Sequence, residues 1–241
     1  FFIFRDEFAR QNYLATRYRR KAVIRPKGRI SDKLYAKHRP LFETLINFIQ
    51  ERGRLPHQEE LEETPAIIQE IGSLNQAYAV IKRVTAKEQW ERLEKERSQD
   101  LLIYIALARF EKRPKFTGLP LQLQWDIKAF FSTYTKACKL ADELLFSVGD
   151  ARILEKAFKS SSVGKLTHDA LYVHESALSA LPAELRIYEG CARAYIGHIE
   201  DANLIKLHRL KRNVSYLYYP NFDHDPHPAL NKSVIVDLKT F

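Results

Sequence analysis

Apolar residues recur at helical spacing through most of the first 160 residues. Five of them share one face of the run "RPLFETLINFIQERG": Leu41, Phe42, Leu45, Ile46 and Ile49. Pro40 suits the first turn of this predicted helix and Gly53 suits its end. The four residues "TAKE" from Thr85 have the form of a capping box, which predicts a new helix start there, running toward Phe110. After the break at residues 112–120, one long stripe of helical period extends from Ile127 to Leu145.

The pattern changes after about residue 165. The runs "ALYVH", "NLIKLH", "VSYLYY" and "SVIVDLK" are rich in β-branched and aromatic residues, and polar turns separate the last three. Between the first and second of these runs, Pro182 opens another predicted helix. The sequence therefore predicts a mainly α fold with a small C-terminal α+β part: a helical domain over residues 5–160, and a module with a short antiparallel sheet over residues 161–241.

The first residues, "FFIF", are four bulky apolar side chains that need a sheet or a core to cover them. We expect residues 1–4 to be the last strand of a domain that precedes residue 1, so that the chain is a piece of a longer protein. The longest apolar run, "LLIYIALA", is too short to span a membrane. We therefore expect no membrane contact. Cys138 and Cys191 lie far apart and form no CxxC pattern, so we expect a reducing, cytoplasmic location.

Positive charge is clustered along this chain of net charge +9. Residues 17–29 contain seven Lys or Arg and no acid, and "NLIKLHRLKRNVSYLYYPN" is a second acid-free stretch with three tyrosines. A third stretch, "RFEKRPK", is shorter and contains Glu111. Basic clusters with interleaved aromatic residues favour contact with phosphate backbones and unpaired bases. The alternatives are a solvated basic face or a surface that binds an acidic neighbour.

The familiar catalytic and cofactor motifs are absent from the sequence. Gly164 and Lys165 resemble the end of a phosphate-binding loop, but Lys159 stands where the first glycine belongs, and Leu166 replaces the Ser or Thr. No glycine-rich turn follows a predicted strand, and neither a nucleophile elbow nor an HExxH pattern occurs. We therefore predict no catalytic residue and no cofactor in this chain.

Residues 53–81 predict two short helices joined near Gly72 and Ser73. The pattern "IGSLNQAYAVI" is similar to helix-turn-helix repeats found beside homing endonucleases. Acidic residues in the predicted first helix are unusual for a surface that faces DNA, which favours a plain helical hairpin.

The stretch "DHDPHP" places Asp223, Asp225 and His227 at alternate positions. In an extended chain these side chains point the same way and resemble a set of metal ligands. Proline on either side of His227 and the turn-forming Asn221 favour a sharply turned loop instead. Glu189 and His198 are further potential ligands, but their spacing does not connect them to the loop. The interpretation adopted is a loop without metal.

Segments along nearly the whole chain resemble the region after the catalytic domain in methyltransferases encoded beside DNA phosphorothioation (dnd-type) systems. They include "FIFRDEFARQNYLATRYRRKA", "ERGRLP", "IGSLNQAYAVIKRVT", "DLLIYIALARF", "VGKLTHDALYVHESAL", "LRIYEGCARAYIG", "NLIKLHR", "VSYLYYPNFD" and "DPHPALNKSVIVDLKT". The resemblance implies a preceding domain that binds S-adenosylmethionine, and a family that continues past residue 241. The resemblance also implies that His224 occupies a variable position, and it leaves Asp225 and His227 as candidates for contacts to DNA or substrate, or for holding the loop.

The resulting hypothesis is a non-catalytic region that positions DNA, or a partner protein of the phosphorothioation defence system, for DNA modification. Eight residues are the predicted phosphate contacts: Arg17, Arg19, Arg20, Lys21, Lys206, Arg209, Lys211 and Arg212. One alternative is a metal-dependent nuclease or phosphoesterase that uses Asp223, Asp225 and His227. Another is a protein-interaction scaffold whose basic faces bind acidic partners.

Overall fold

The computed structural model describes residues 29–239, except residues 198, 200, 223 and 226. In these ranges the α-helices, numbered α1 to α9, are Ile30–Lys37, Arg39–Arg52, Thr64–Ile71, Leu74–Val84, Lys87–Leu107, Leu121–Phe131, Tyr134–Ser147, Ala151–Ser160 and Ala183–Ile196. The strands β1 to β5 are Lys165–Leu166, Ala170–His174, Leu204–His208, Asn213–Tyr218 and Lys232–Asp237. Short 3₁₀ turns occur at Ala108–Glu111, Phe116–Gly118 and Glu175–Ala180. The predicted fold class, a helical body with a small C-terminal antiparallel sheet, is confirmed.

Three sets of predictions lie outside the described residues. These are the strand at residues 1–4, the phosphate contacts Arg17, Arg19, Arg20 and Lys21, and the potential metal ligands His198 and Asp223.

The five strands form one antiparallel sheet in the order β1-β2-β3-β4-β5. Leu171, Leu207, Val214 and Val236 pair across four neighbouring strands and all point to the same buried face. Alternation of apolar and polar residues in β3 puts this row inside, because successive side chains of a strand point to opposite faces. Helices α8 and α9 pack against that face and complete a core under the sheet.

The helices enclose two further cores. The N-terminal core, formed by α2, α3, α4 and the start of α5, includes Phe42, Ile67, Ile81 and Trp90. The middle core joins the second half of α5 to α6 and α7, and it receives Ile187 from α9. Helix α8 belongs to the sheet core, so the predicted domain boundary at residue 160 falls between this helix and the sheet that it covers.

Helices α5 and α9 approach closely where Leu107 lies over Gly190. A Cβ atom on Gly190 would come within 2.7 Å of both methyl carbons of Leu107, so a larger residue at this crossing would force the Leu107 side chain to move. The contact fixes the end of α5 against the helix that supports the sheet.

The first predicted helix start, at Pro40, is correct, but the second differs in detail. Helix α2 begins at Arg39 and ends before Gly53, which has a φ of 71°. Helix α5 begins at Lys87 without a side-chain cap, so the predicted capping box is wrong. The Thr85 hydroxyl instead donates to the Ile81 carbonyl at 2.6 Å and accepts from the Trp90 indole at 2.7 Å.

The single stripe from Ile127 to Leu145 is divided between α6 and α7. Ser132 has a φ of 66° and ends α6, and the Thr133 hydroxyl then caps α7 by accepting from the Lys136 amide at 3.2 Å. Both helices turn their apolar residues to the middle core, so the periodicity continues through the break.

The two short helices predicted in residues 53–81 are confirmed as α3 and α4, joined by Gly72 and Ser73. The acidic run at residues 59–63 precedes α3, which begins at Thr64 and contains one acid, Glu70. The objection that the first helix is acidic therefore does not hold.

Candidate nucleic-acid interface

Lys206, the first predicted phosphate contact in the described part of the chain, lies on the outer face of β3. Its ammonium is 3.5 Å from an Asp169 carboxylate oxygen and 5.2 Å from the centre of the Tyr172 ring. The interaction with the Tyr172 hydroxyl, followed by the nearby Asp169 charge, raises the pKa of Lys206. Its charge is therefore partly satisfied within the protein.

Arg209 is a structural residue of the turn between β3 and β4. Its guanidinium donates to both Glu155 oxygens, at 3.3 and 2.6 Å, and to the carbonyls of Thr167 and His168. Its side chain is only 16% exposed. These bonds lower the pKa of the Glu155 carboxyl and connect the turn to α8. Four of the five N–H donors of Arg209 are thus used inside the molecule.

Lys211 and Arg212 are exposed on the same turn. The Arg212 guanidinium donates to the Gly149 carbonyl at 2.6 Å, which holds it near the end of α7. Beneath them the buried Tyr188 hydroxyl lies 3.2 to 3.4 Å from the carbonyls of His208, Lys211 and Asn213. The backbone of this basic turn is therefore held in place, and both of its cations are exposed.

An exposed aromatic ring lies beside this turn. Phe110, in the 3₁₀ turn after α5, is 53% exposed and separates two cavities that both use it as a wall. The first cavity, about 520 Å³, is lined by Tyr104, Lys112 and Arg193 among others. The second, about 350 Å³, includes Tyr195 and Arg212 in its walls. We name the two cavities with the intervening ring the Phe110 groove.

The end of α5 explains why Phe110 stays at the surface. After the 3₁₀ turn Lys112 adopts a left-handed φ of 63°. Arg113 holds this segment in place by donating to the Ile105 carbonyl at 2.7 Å and to Asp142 at 2.5 Å. Arg109 also pairs with Asp142 at 2.7 Å. Two cations of the predicted third basic stretch, Arg109 and Arg113, are thus paired with the Asp142 carboxylate. Lys112, in the same stretch, is exposed at the groove.

The floor of the first cavity contains a buried carboxylate. Glu189 Oε1 accepts from the Arg193 guanidinium at 2.8 Å and from the Tyr216 hydroxyl at 3.0 Å. Burial, followed by the Glu189 charge, raises the pKa of Tyr216. Glu189 therefore carries a compensated charge, because a buried carboxylate without partners would be costly. Its place is in α9, where it supports the cavity rather than the "DHDPHP" loop.

The second cavity has a more apolar lining. Val148, Tyr188 and Cys191 contribute to it, and burial raises the pKa of the Cys191 thiol to about 11. This thiol is neutral at physiological pH and acts as an apolar wall rather than a nucleophile. The rim supplies polar contacts through Arg212 and the Tyr195 ring, which is 69% exposed.

The predicted functional loop is turned, and the His224 and Asp225 amides both donate to the Asn221 carbonyl. The Asp225 carboxylate accepts from the His227 amide at 2.8 Å, and both residues are exposed. Phe222 packs its ring 5.4 Å from that of His174 and holds the loop against β2. Asp223 lies outside the described residues. Among those that the structure does describe, no group of three His, Cys, Asp or Glu side chains is arranged to hold a metal ion.

Sequence reasoning found the basic stretches but missed the aromatic side chains that complete the surface. Phe110 lies inside "RFEKRPK", at the end of a predicted helix, and nothing in that local sequence indicates that its ring is exposed. Tyr104 and Tyr195 lie 91 residues apart in sequence, and only the crossing of α5 and α9 brings their surfaces together.

Comparisons with protein-family models, curated proteins and solved structures found no match. No helix within the described ranges is long and apolar enough to cross a membrane.

Proposed function

We propose that this chain is a nucleic-acid-binding module that holds unpaired DNA bases in the Phe110 groove. In the protein family that the sequence resembles, such a module would position DNA for the catalytic domain or for a partner of the phosphorothioation system. The single observation that carries the proposal is an exposed phenyl ring between two cavities, with cations at both ends.

The dimensions and composition of the groove suit nucleotides. Each cavity falls within the roughly 300–1,000 Å³ range of small-ligand pockets. Aromatic side chains stack on any base, because every base has a π-face, and cations beside them contact the backbone phosphates. Lys112, Lys211 and Arg212 are the exposed cations at or beside the groove. Arg209 supports the turn instead, and the proposal assigns it no direct phosphate contact.

The proposed role is binding, and it requires no chemistry from the chain itself. The alternative of a metal-dependent nuclease using Asp223, Asp225 and His227 stays a prediction. Within the described residues the Asp225 carboxylate is engaged in the loop's own backbone, which gives no support to that alternative.

Replacing Phe110 by alanine tests the proposal. Fluorescence anisotropy with a labelled 15-nucleotide single strand should show weaker binding, because one base loses its stacking partner. Loss of stacking costs about 1–3 kcal/mol, which corresponds to about 5- to 150-fold in Kd. Phe146→Ala is the matched control, since Phe146 is an exposed phenyl ring that lines neither cavity.

The same titration across a salt series measures the phosphate contacts. Three cations on a single strand predict a slope of log K against log salt of about −2. Equal binding by wild type and Phe110→Ala, or binding that does not respond to salt, would contradict the proposal. Strong binding of an acidic protein with no DNA affinity would favour the scaffold alternative. Strands with and without phosphorothioate linkages would show whether sulfur is sensed.

A further inference from the structure

Helices α3 and α4 pack against each other in the N-terminal core. Gly72 has a φ of 106°, a conformation that glycine adopts easily, and it turns the chain between the helices. The Ser73 hydroxyl accepts from the Gln76 amide at 3.1 Å and caps the start of α4. Two consecutive residues thus end one helix and begin the next.

Helix α4 has one buried side and one polar side. Ala77, Val80 and Ile81 are buried in the N-terminal core. On the opposite side Asn75, Gln76 and Arg83 are exposed. Positions 75, 79 and 83 are spaced four residues apart, so Asn75 and Arg83 share a face on either side of Ala79.

The anchoring of α4 makes this polar side a rigid surface. At the C-terminal end the Thr85 hydroxyl joins the Ile81 carbonyl to the Trp90 indole in α5. Lys82 lies 4.3 Å from the centre of the Tyr78 ring on the flank of the helix. The helix contains two cations, Lys82 and Arg83, and no acidic residue.

The exposed side chains match the edges of base pairs. Asn and Gln form paired hydrogen bonds with adenine, and Arg does so with guanine, in the major groove of duplex DNA. The small Ala79 between them lets the helix approach the bases closely. Within α4 no large apolar side chain is exposed, so the surface lacks the anchors typical of a protein interface.

Described cations accompany this surface. Helix α1 packs against α4, and the exposed Arg29 lies immediately before α1. Together with Lys82 and Arg83, it is a positive charge of the kind that contacts phosphate backbones.

We propose that α4 is a recognition helix that reads base pairs in the major groove of duplex DNA. This site is separate from the Phe110 groove and goes beyond it, because it predicts a preferred sequence in double-stranded DNA. Asn75 and Arg83 determine the preference, and Gln76 contributes at the N-terminal end of the helix.

The test is selection from a library of random duplexes by the whole chain, followed by sequencing. Wild type should enrich a short motif. Asn75→Ala and Arg83→Ala should each lose discrimination at one position and bind the motif about tenfold more weakly. Lys95→Ala is the control for Arg83→Ala, because Lys95 is an exposed cation on α5 whose removal should leave the motif intact. Circular dichroism of each exposed-site variant verifies folding.

Absence of an enriched motif would overturn the inference, as would a motif unchanged in both variants. Phe110→Ala separates this inference from the proposed function. A variant that loses single-strand binding but keeps the duplex motif supports two sites. If wild type shows a motif on duplexes while Phe110→Ala leaves single-strand binding unaltered, the groove proposal fails and the recognition helix stands.

Discussion

A buried ion network connects the segment before α3 to helix α6. Arg54, whose side chain is 5% exposed, donates to Asp126 at 2.6 Å and to both oxygens of Glu60 at 2.5 and 2.8 Å. Arg52 donates to the second oxygen of Asp126 at 2.7 Å. The network is the polar connection between the N-terminal core, which supports α4, and the middle core, which supports the Phe110 groove. We therefore expect Asp126→Ala to weaken the contact between the N-terminal core and the middle core, and so to lower the free energy of unfolding.

The structure sets the size of this effect. Removing one partner from a buried pair costs about 3–5 kcal/mol, because the other charge is left uncompensated. Arg54 would keep Glu60 and the Leu55 carbonyl, at 3.0 Å, so we expect the low end, about 3 kcal/mol. For a domain of this size that free energy corresponds to a fall in Tm of about 6–12 °C.

Thermal and urea unfolding followed by circular dichroism measure the change. Glu43→Ala is the control, because the Arg39–Glu43 pair is exposed and should contribute only about 0–0.5 kcal/mol. If Asp126→Ala costs no more than Glu43→Ala, the network does not stabilise the fold. Burial opposes ionisation of Glu60, but hydrogen bonds from Arg54 and the His57 amide outweigh it and lower the pKa of Glu60. Its contribution is therefore complete above the ordinary glutamate pKa of about 4.3 and is lost as the pH falls through the lower folded value.

Two further substitutions separate structural from binding roles. Arg209→Ala should lower the free energy of unfolding by about 2–3 kcal/mol, because a charge-assisted bidentate pair and two bonds to carbonyls are lost. Lys211→Ala should leave Tm unchanged and reduce the salt slope of DNA binding by about 0.7. Equal effects of the two substitutions on Tm would refute this division. Asp225→Ala should leave DNA binding and metal content unchanged, as measured by anisotropy and by elemental analysis of the purified protein, and a bound metal lost in this variant would instead revive the nuclease alternative.

Local sequence patterns predict the helices and strands of this fold well where a residue's conformation or alternation alone determines the element. Gly53 ends α2 because its left-handed φ suits glycine, and alternation in "NLIKLH" marks β3. Prediction fails where a residue has competing partners. Thr85 has the sequence context of a helix cap, but its hydroxyl accepts a hydrogen bond from the Trp90 indole instead. Ser132 ends α6 inside a continuous apolar stripe. The pattern does not reveal this break, because the helices on either side of it face the same core.

The candidate site was less predictable, since charge in sequence does not reveal charge at the surface. Arg209 belongs to a basic stretch, yet Glu155, 54 residues earlier, neutralises it. Lys211 and Arg212, its near neighbours, stay exposed. The groove itself depends on the crossing of α5 and α9 at Gly190, and no local pattern encodes that contact.

Helix α5 runs from the core that contains α4 to the turn that contains Phe110. Its start packs in the same core as α4, and its end leads into Phe110. Its 21 residues span on the order of 30 Å, which equals about nine base pairs of duplex. A DNA with a duplex of about nine base pairs followed by a single strand would therefore reach both surfaces at once. Such a junction should bind more than tenfold tighter than either part alone, because the second contact becomes intramolecular. This gain in affinity should disappear when the duplex is shortened to four base pairs. Anisotropy titrations with the two junctions measure the difference, and equal affinities for both would show that the two surfaces bind DNA independently.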